Sequence, residues 1–151
     1  MAAYTDSLGF NKGVAAYPDN IGDISKIEVT VNFATVKAAR LAVGATALAA
    51  TDTMQIITMP ANSVVLAAGM TVVTAETINA TATIDIGFTG GTPAAANVYG
   101  NDLATNSTGL KAANAAAATV CAAADTIDIL LNTAVPENAV INFFAFVANA
   151  N

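Results

Sequence analysis

Residues 125–147 read DTIDILLNTAVPENAVINFFAFV, which is the pattern of a strand, a turn and a second strand. Apolar and polar side chains alternate over Thr126–Asn132, Pro136-Glu137-Asn138 interrupts the pattern, and β-forming residues resume over Val140–Val147. A second version of this pattern lies at 50–66, ATDTMQIITMPANSVVL, with the same A-x-D-T-apolar-x-I followed by P-x-N-small-V-apolar. A duplicated strand–turn–strand unit predicts an all-β fold, and it contains no catalytic machinery.

The composition predicts a surface that is poor in charge. Charged residues make up 11% of the 151 residues and hydrophobic residues 55%, with alanine the most frequent type. An average soluble domain has about 25% charged residues, and a lone domain normally exposes at least that share. We therefore expect one domain with part of its surface hidden against other chains, as in an oligomer or a lattice.

Charge and cysteine content exclude several classes of protein. The net charge of −6, with only five basic residues, argues against nucleic-acid binding and against an anionic membrane surface. The N-terminus MAAYTDSLGF does not resemble a secretory signal, and no stretch has the length and hydrophobicity of a membrane span. Cys121 is the single cysteine, so we expect a buried apolar thiol and no intrachain disulfide.

The chain divides into an N-terminal arm, residues 1–25, and a domain, residues 26–151. The arm has no regular hydrophobic period, and glycine and proline punctuate it. It nevertheless carries three aromatic residues, Tyr4, Phe10 and Tyr17, which a disordered tail usually lacks. Two interpretations remain open: a tail that packs on its own domain, or an extended arm that lies along a neighbouring subunit.

Strand patterns recur through the domain. Lys26–Phe33 alternates, with Ile27, Val29, Val31 and Phe33 on one face, and further strands are predicted at Thr53–Met59, Val64–Thr74 and Thr81–Phe88. With the two C-terminal strands and two segments that allow either a strand or a helical turn, this predicts about eight strands. The absence of a long amphipathic pattern favours an antiparallel β-sandwich with jelly-roll-like or Greek-key connections.

Three segments of the domain are less regular. Residues 34–50 allow either a short helical turn or an edge strand around Val36–Val43. Residues 112–124 leave a strand or a helical turn equally open over Ala115–Ala123. Thr89–Asn114 is rich in glycine and small polar residues, which predicts a long loop at 89–114, and loops of this length are usually functional or mobile.

The C-terminal strand Val140–Val147 is apolar on both faces. Val140, Phe144 and Phe146 share one face, while Ile141, Phe143 and Val147 share the other. A sandwich strand normally buries only one face. We therefore expect the second face to meet a loop, the N-terminal arm or a partner subunit.

Catalytic and metal-binding patterns are weak. The chain has no histidine, which removes the usual nucleophile–base pairs, zinc sites and near-neutral general bases. Asp85 and Asp128 occupy matching places in two T-I-D-I strands, so a glycosidase-like pair or a calcium site could be built there if the strands are neighbours. The favoured interpretation is two outward, solvated charges. Asp52 and Asp125 each precede a threonine at a strand entry and are expected to accept hydrogen bonds from local backbone.

The run KIEVTVNFATVKAARLAVGATALAATDTMQIITMPANS, from Lys26 to Ser63, resembles small structural proteins of tailed phages, as do VVTAET…TATIDIGF and AADTIDILLN further on. These are capsid decoration (cement) or head proteins. The resemblance implies a jelly-roll-like sandwich on the capsid exterior, commonly a homotrimer, that binds and braces the major capsid protein. It implies no enzyme activity and no cofactor or metal, and it transfers no functional residues.

Candidate contact residues follow from these patterns. Tyr4, Phe10 and Tyr17 are our candidates for capsid contact, and Val140, Phe143, Phe144 and Phe146 are our candidates for a subunit interface. One alternative is a head or tail fibre module that binds a receptor or glycan through Thr89–Asn114, where Tyr99 is the stacking aromatic. The other is a carboxylate enzyme acting on polysaccharide through Asp85 and Asp128.

Overall fold

The computed structural model describes residues 3–14, 23–88, 95–111 and 118–149. These residues form eleven strands and one helix, α1 (Phe33–Ala42). The strands, in chain order, are β1 (Ala3–Tyr4), β2 (Gly13–Val14), β3 (Ile24–Asn32), β4 (Thr53–Met59), β5 (Ser63–Thr74), β6 (Thr83–Phe88), β7 (Ala95–Ala104), β8 (Gly109–Lys111), β9 (Thr119–Cys121), β10 (Asp125–Asn132) and β11 (Val140–Asn149).

The strands form two sheets that pack face to face. The first sheet has the order β1-β4-β10-β6-β7, with β2 also paired to β4, and the second has the order β3-β11-β5-β8, with β9 also paired to β5. Among the described residues, β1 and β2 pair with β4 in parallel, and all other pairs are antiparallel. The predicted all-β antiparallel sandwich is confirmed.

The two copies of the repeated unit pair with each other at the centre of the sandwich. Strand β10 lies antiparallel to β4 in the first sheet, and β11 lies antiparallel to β5 in the second. Each turn of the repeat therefore carries the chain from one sheet to the other. The repeat therefore builds the middle of both layers.

Strand β3 confirms the predicted alternation over most of its length. Val29 and Val31 are buried, while Glu28 and Thr30 point outward and are exposed. The prediction was wrong at Phe33, which begins α1 and does not continue the strand. The reason is the Asn32 N-cap, whose side-chain oxygen accepts the backbone N–H of Thr35 at 3.2 Å. The open alternative over residues 34–50 is thereby decided in favour of a helix.

The predicted loop at 89–114 was wrong over β7 and β8. Strand β7 pairs with β6 through a register that shifts between Ile84 and Ile86 and again between Ile86 and Phe88. Such irregularities interrupt the two-residue period by which a strand is found in a sequence. Within residues 112–124, where a strand or a helical turn was open, β9 forms a strand that ends at Cys121, and the cysteine is buried as predicted.

The described part of the N-terminal arm packs on its own domain. Strands β1 and β2 lie along the edge of β4, and Phe10 is 9% exposed within the main core. Gly9 has a φ of +87°, and a Cβ at this position would lie 2.6 Å from the Cα of Val36 in α1. Tyr17 lies outside the described residues. Residues 3–14 therefore agree with the first of the two interpretations, a tail that packs on its own domain.

The described residues contain no helix long and apolar enough to cross a membrane.

Candidate interaction surfaces

Strand β11 presents an aromatic pair on the outer surface of the second sheet. Ile141, Phe143, Ala145 and Val147 point into the core, and Phe143 is 2% exposed there. Phe144 and Phe146 point outward, with their rings in an edge-to-face contact at 6.0 Å. Phe146 is 36% exposed, and the Phe144 ring lies over Gly69, whose missing Cβ makes room for it. The candidate interface residue Phe143 is therefore a core residue, because strand alternation places it on the opposite face from its two neighbours.

Apolar residues of neighbouring strands extend this outer surface. The strand registers place Ile24, Ala148, Val64 and Val120 in one row across the sheet. Ile24 is 61% exposed and Val120 55%, and Leu110 is 65% exposed on β8. We call this surface the β11 face; its outward residues include Ile24, Lys26, Glu28, Val64, Leu110, Val120, Phe144 and Phe146. Contiguous exposed apolar surface of this kind is typical of a protein–protein contact.

One ion pair lies on the β11 face. The Lys26 ammonium is 2.6 Å from a Glu28 carboxylate oxygen and 5.8 Å from the centre of the Phe144 ring. The hydrogen bond from Lys26 lowers the pKa of Glu28. Asn142 donates a second hydrogen bond to Glu28 at 3.2 Å. The face thus combines an apolar area with one cation and one anion, and it carries no excess of either charge at this point.

Tyr4 lies beside the C-terminal half of α1. Its ring stacks on the Arg40 guanidinium at 4.0 Å, and its hydroxyl donates to the Ala47 carbonyl at 3.4 Å. Burial raises the pKa of Tyr4, and the nearby Asp52 carboxylate raises it further. Asp6 follows in the same segment and accepts two hydrogen bonds from Arg40, at 2.9 and 3.1 Å. Of the three aromatic residues predicted for capsid contact, Tyr4 is partly exposed and Phe10 belongs to the core.

A cavity of about 300 Å³ opens beside α1. We call it the α1 cavity; its walls are the face of α1 between Phe33 and Leu41, the segment 45–48, and the segment 135–137. An ion pair between Lys37 and Glu137 joins two of these walls. No local sequence pattern indicates the cavity, because its walls come from segments about 90 residues apart in the chain.

A buried carboxylate fixes one side of this region. Glu76 is 2% exposed and accepts backbone N–H groups from two segments, 78–79 and 137–139. Burial alone would raise the pKa of Glu76, but these N–H groups, Asn79 and Asn138 foremost, lower it to about 2. Glu76 had no distinctive sequence context, and its role depends on a chain reversal that local patterns do not show.

The two T-I-D-I aspartates lie on neighbouring strands, as the calcium and glycosidase hypotheses required. Asp128 is opposite Gly87 and Asp85 is opposite Leu130, so both lie on one face of the first sheet. The prediction that they are solvated was wrong: Asp85 is 5% exposed and Asp128 2%. Asp85 accepts the backbone N–H of Asp102 at 2.7 Å, which gives one of these carboxylates a structural role.

Across the described ranges, no group of three or more histidine, cysteine, aspartate or glutamate residues is placed to hold a metal ion. Asp52 and Asp125 do what the sequence predicted, since Asp52 accepts the backbone N–H of Ala49 and Asp125 accepts that of Thr126, both at 2.8 Å.

Tyr99 does not form a stacking platform. It lies in β7, is 1% exposed, and packs edge-to-face on Phe88 with ring centres 5.8 Å apart. Burial raises its pKa to about 12. A glycan-binding role for this tyrosine would need an exposed ring, so the structure removes the residue on which the fibre-module alternative relied.

The fold is similar to chains in three solved phage capsids. A chain in the capsid of Ralstonia phage GP4 aligns with a TM-score of 0.61 and 18% identity, over 90% of this chain and 90% of that chain. A chain in the capsid asymmetric unit of cyanophage Pam1 aligns with a TM-score of 0.60 and 17% identity, over 89% and 92%. A chain in the acidic stable capsid of Helicobacter pylori bacteriophage KHP30 aligns with a TM-score of 0.60 and 10% identity, over 87% and 92%.

At these identities the likeness shows a common fold. The sequence itself matches no protein-family model and no curated protein.

Proposed function

We propose that this chain is a structural protein of a tailed-phage virion, a decoration (cement) protein that binds the lattice of the major capsid protein and stabilises the head. The observation that carries the proposal is the fold shared with chains of three phage capsids over 87–90% of this chain. The low charge content, 11%, supports it, because a chain that works within a lattice hides much of its surface.

The β11 face is the proposed self-interface of a homo-oligomer, with a trimer as the expected state. Phe144 and Phe146 supply aromatic anchors, the residue type that most often dominates interface energetics. The row from Ile24 to Val120 widens the apolar area around them. Lys26 and Glu28 lie beside these anchors. In the oligomer, Lys26 of one copy can form an ion pair with Glu28 of a neighbouring copy.

The N-terminal segment around Tyr4 is the proposed contact with the major capsid protein, on the exterior of the head. Tyr4 is held in place by Arg40 and Ala47, and the residue stays partly exposed. An anchor that is already ordered loses little conformational entropy on binding. In this role the chain needs no cofactor, metal or catalytic group, and it acts by burying surface across joints between capsomers.

The proposal is tested with heads of the phage that encodes the chain, prepared without its gene. Purified chain is added, and its copies per major capsid protein are measured after sedimentation. We expect saturation at a fixed ratio, a resolved density on the outer surface in electron micrographs, and a higher temperature of head rupture. Failure to co-sediment, or location of the chain on the tail only, would overturn the proposal.

A further inference from the structure

We infer that the α1 cavity is a socket for one uncharged apolar side chain, aromatic or branched aliphatic, that the major capsid protein projects into it. This inference rests on the proposed function and adds a specific point of attachment to it. Four observations carry it: the rigidity of the walls, the chemistry of the lining, the pairing of the charges, and the position beside Tyr4.

The walls of the α1 cavity are held from behind by hydrogen bonds. Three backbone N–H groups of the 137–139 segment bind Glu76, and Asn79 donates to the Val135 carbonyl at 2.8 Å. On the opposite side, Arg40 Nε donates to the Thr46 carbonyl at 2.8 Å. A site whose walls are fixed before binding avoids the entropic cost of ordering them.

Most of the residues that line the cavity are apolar. Phe33 is 1% exposed, and Leu48 and Val135 pack against the core from the two facing segments. At about 300 Å³ the cavity is at the small end of ligand pockets, which matches one side chain better than an extended molecule. Aromatic and aliphatic anchors seated in such pockets are the usual energetic centres of protein interfaces.

The charges around the cavity are already paired. Lys37 forms an ion pair with Glu137, and Arg40 forms one with Asp6, so each lining cation has its own carboxylate. The side chain of Arg40 is 4% exposed, so an anionic occupant that drew Arg40 away from Asp6 would disrupt a pair with one buried partner, which is costly. Charge complementarity therefore selects a neutral group.

The position of the cavity indicates a protein partner. Leu41 lines the cavity yet is 81% exposed, so apolar surface continues outward from the mouth. Arg40 and Ala47 line the cavity and also hold Tyr4, which makes the cavity continuous with the proposed capsid contact. An occupant that fills the cavity and covers this surrounding area is a side chain on a larger surface.

The first experiment uses N-acetyl-phenylalanine amide as a neutral probe, titrated into the isotopically labelled full chain and followed by nuclear magnetic resonance. We expect saturable shifts of the signals of Phe33, Leu48 and Val135. Ala45→Phe places a ring inside the cavity and is expected to abolish these shifts. Ala38→Phe adds the same ring to the exposed side of α1, outside the cavity lining, and is expected to leave them unchanged. Absence of any shift at the cavity would overturn the inference.

The second experiment measures binding of the same variants to heads that lack the chain. We expect Ala45→Phe to weaken binding at least tenfold and Ala38→Phe to bind like the unaltered chain. Leu41→Ser changes an exposed residue, cannot disturb folding greatly, and is also expected to weaken binding. If the unaltered chain binds but Ala45→Phe and Leu41→Ser bind equally well, the socket is wrong while the decoration role stands. If the unaltered chain does not bind, the decoration role fails and the socket fails with it.

Discussion

The carboxylate of Glu76 accepts the backbone N–H of Glu137 at 2.6 Å, across 61 residues of chain. The same oxygen also accepts hydrogen bonds from the backbone N–H groups of Asn138 and Ala139, and the other oxygen accepts those of Ile78 and Asn79. One buried side chain thus ties the segment after β5 to the turn before β11. That turn belongs to the second copy of the repeat, so the Glu76 contacts fix the point at which the chain passes from one sheet to the other.

Replacing Glu76 with glutamine is expected to lower the free energy of unfolding by roughly 2–4 kcal/mol, because hydrogen bonds to a buried charge are lost and an amide N–H₂ would face backbone donors. Urea unfolding followed by circular dichroism measures the change. Asp23→Asn is the control: it alters an exposed carboxylate that is not among the residues of the β11 face and should have a much smaller effect. Equal effects of the two substitutions would contradict the role assigned to Glu76.

The stability supplied by Glu76 should depend on pH in one direction. Its pKa is about 2 in the folded chain, below the ordinary value of 4.5. A lowered folded-state pKa stabilises the fold above pH 4.5, and the contribution is lost as pH falls from 4.5 towards 2. At about 1.36 kcal/mol per pKa unit, the full contribution is up to about 3 kcal/mol.

The measurement is the difference in unfolding free energy between the unaltered chain and Glu76→Gln at a series of pH values. This difference isolates Glu76 from the other carboxylates, which titrate in both chains. We expect it to be constant between pH 5 and 7, because Glu76 is ionised in both states there. A difference that persists undiminished near pH 2 would show that Glu76 acts through its shape and not through its charge.

Gly9 should resist substitution more strongly than Gly44. Both have positive φ, +87° and +67°, so an alanine is strained at either position. At Gly9 a Cβ would also lie 2.6 Å from Val36 Cα, whereas at Gly44 it would meet nothing within 4 Å. We expect Gly44→Ala to cost about 1 kcal/mol and Gly9→Ala to cost several-fold more, by thermal unfolding. Equal costs would mean that residues 3–14 are not firmly packed on α1.

The sequence was most informative where the repeat lies. The strand–turn–strand pattern of the repeat predicted β4, β10 and the sandwich, because both strands lie at the middle of the first sheet. The sequence was least informative at residues whose surroundings are formed by segments far away in the chain. Asp85 has the sequence pattern of an outward, solvated residue, yet its carboxylate binds the backbone N–H of Asp102, which a positive φ of 51° turns towards it.

The same holds for the contact surfaces: local alternation predicted part of them, and the rest depends on segments far away in the chain. Alternation correctly separated Phe144 and Phe146 from the residues on the other face of β11, but it could not say that Phe143 belongs to the core, since both faces are apolar in the sequence. The α1 cavity could not be predicted at all. Its lining joins α1 to residues 135–137, and only the folded chain brings the Lys37–Glu137 pair together.

Phe146→Ser is expected to disrupt self-association. Phe146 is 36% exposed beside Phe144 on the β11 face, so the substitution removes an aromatic anchor without opening a cavity in the core. Light scattering after size exclusion should give a trimer mass for the unaltered chain and a smaller mass for the variant. Ile78→Ser, which changes a residue 60% exposed in the segment after β5, is the control and should keep the trimer mass. A monomeric unaltered chain, or a variant of unchanged mass, would show that the β11 face is not the self-interface.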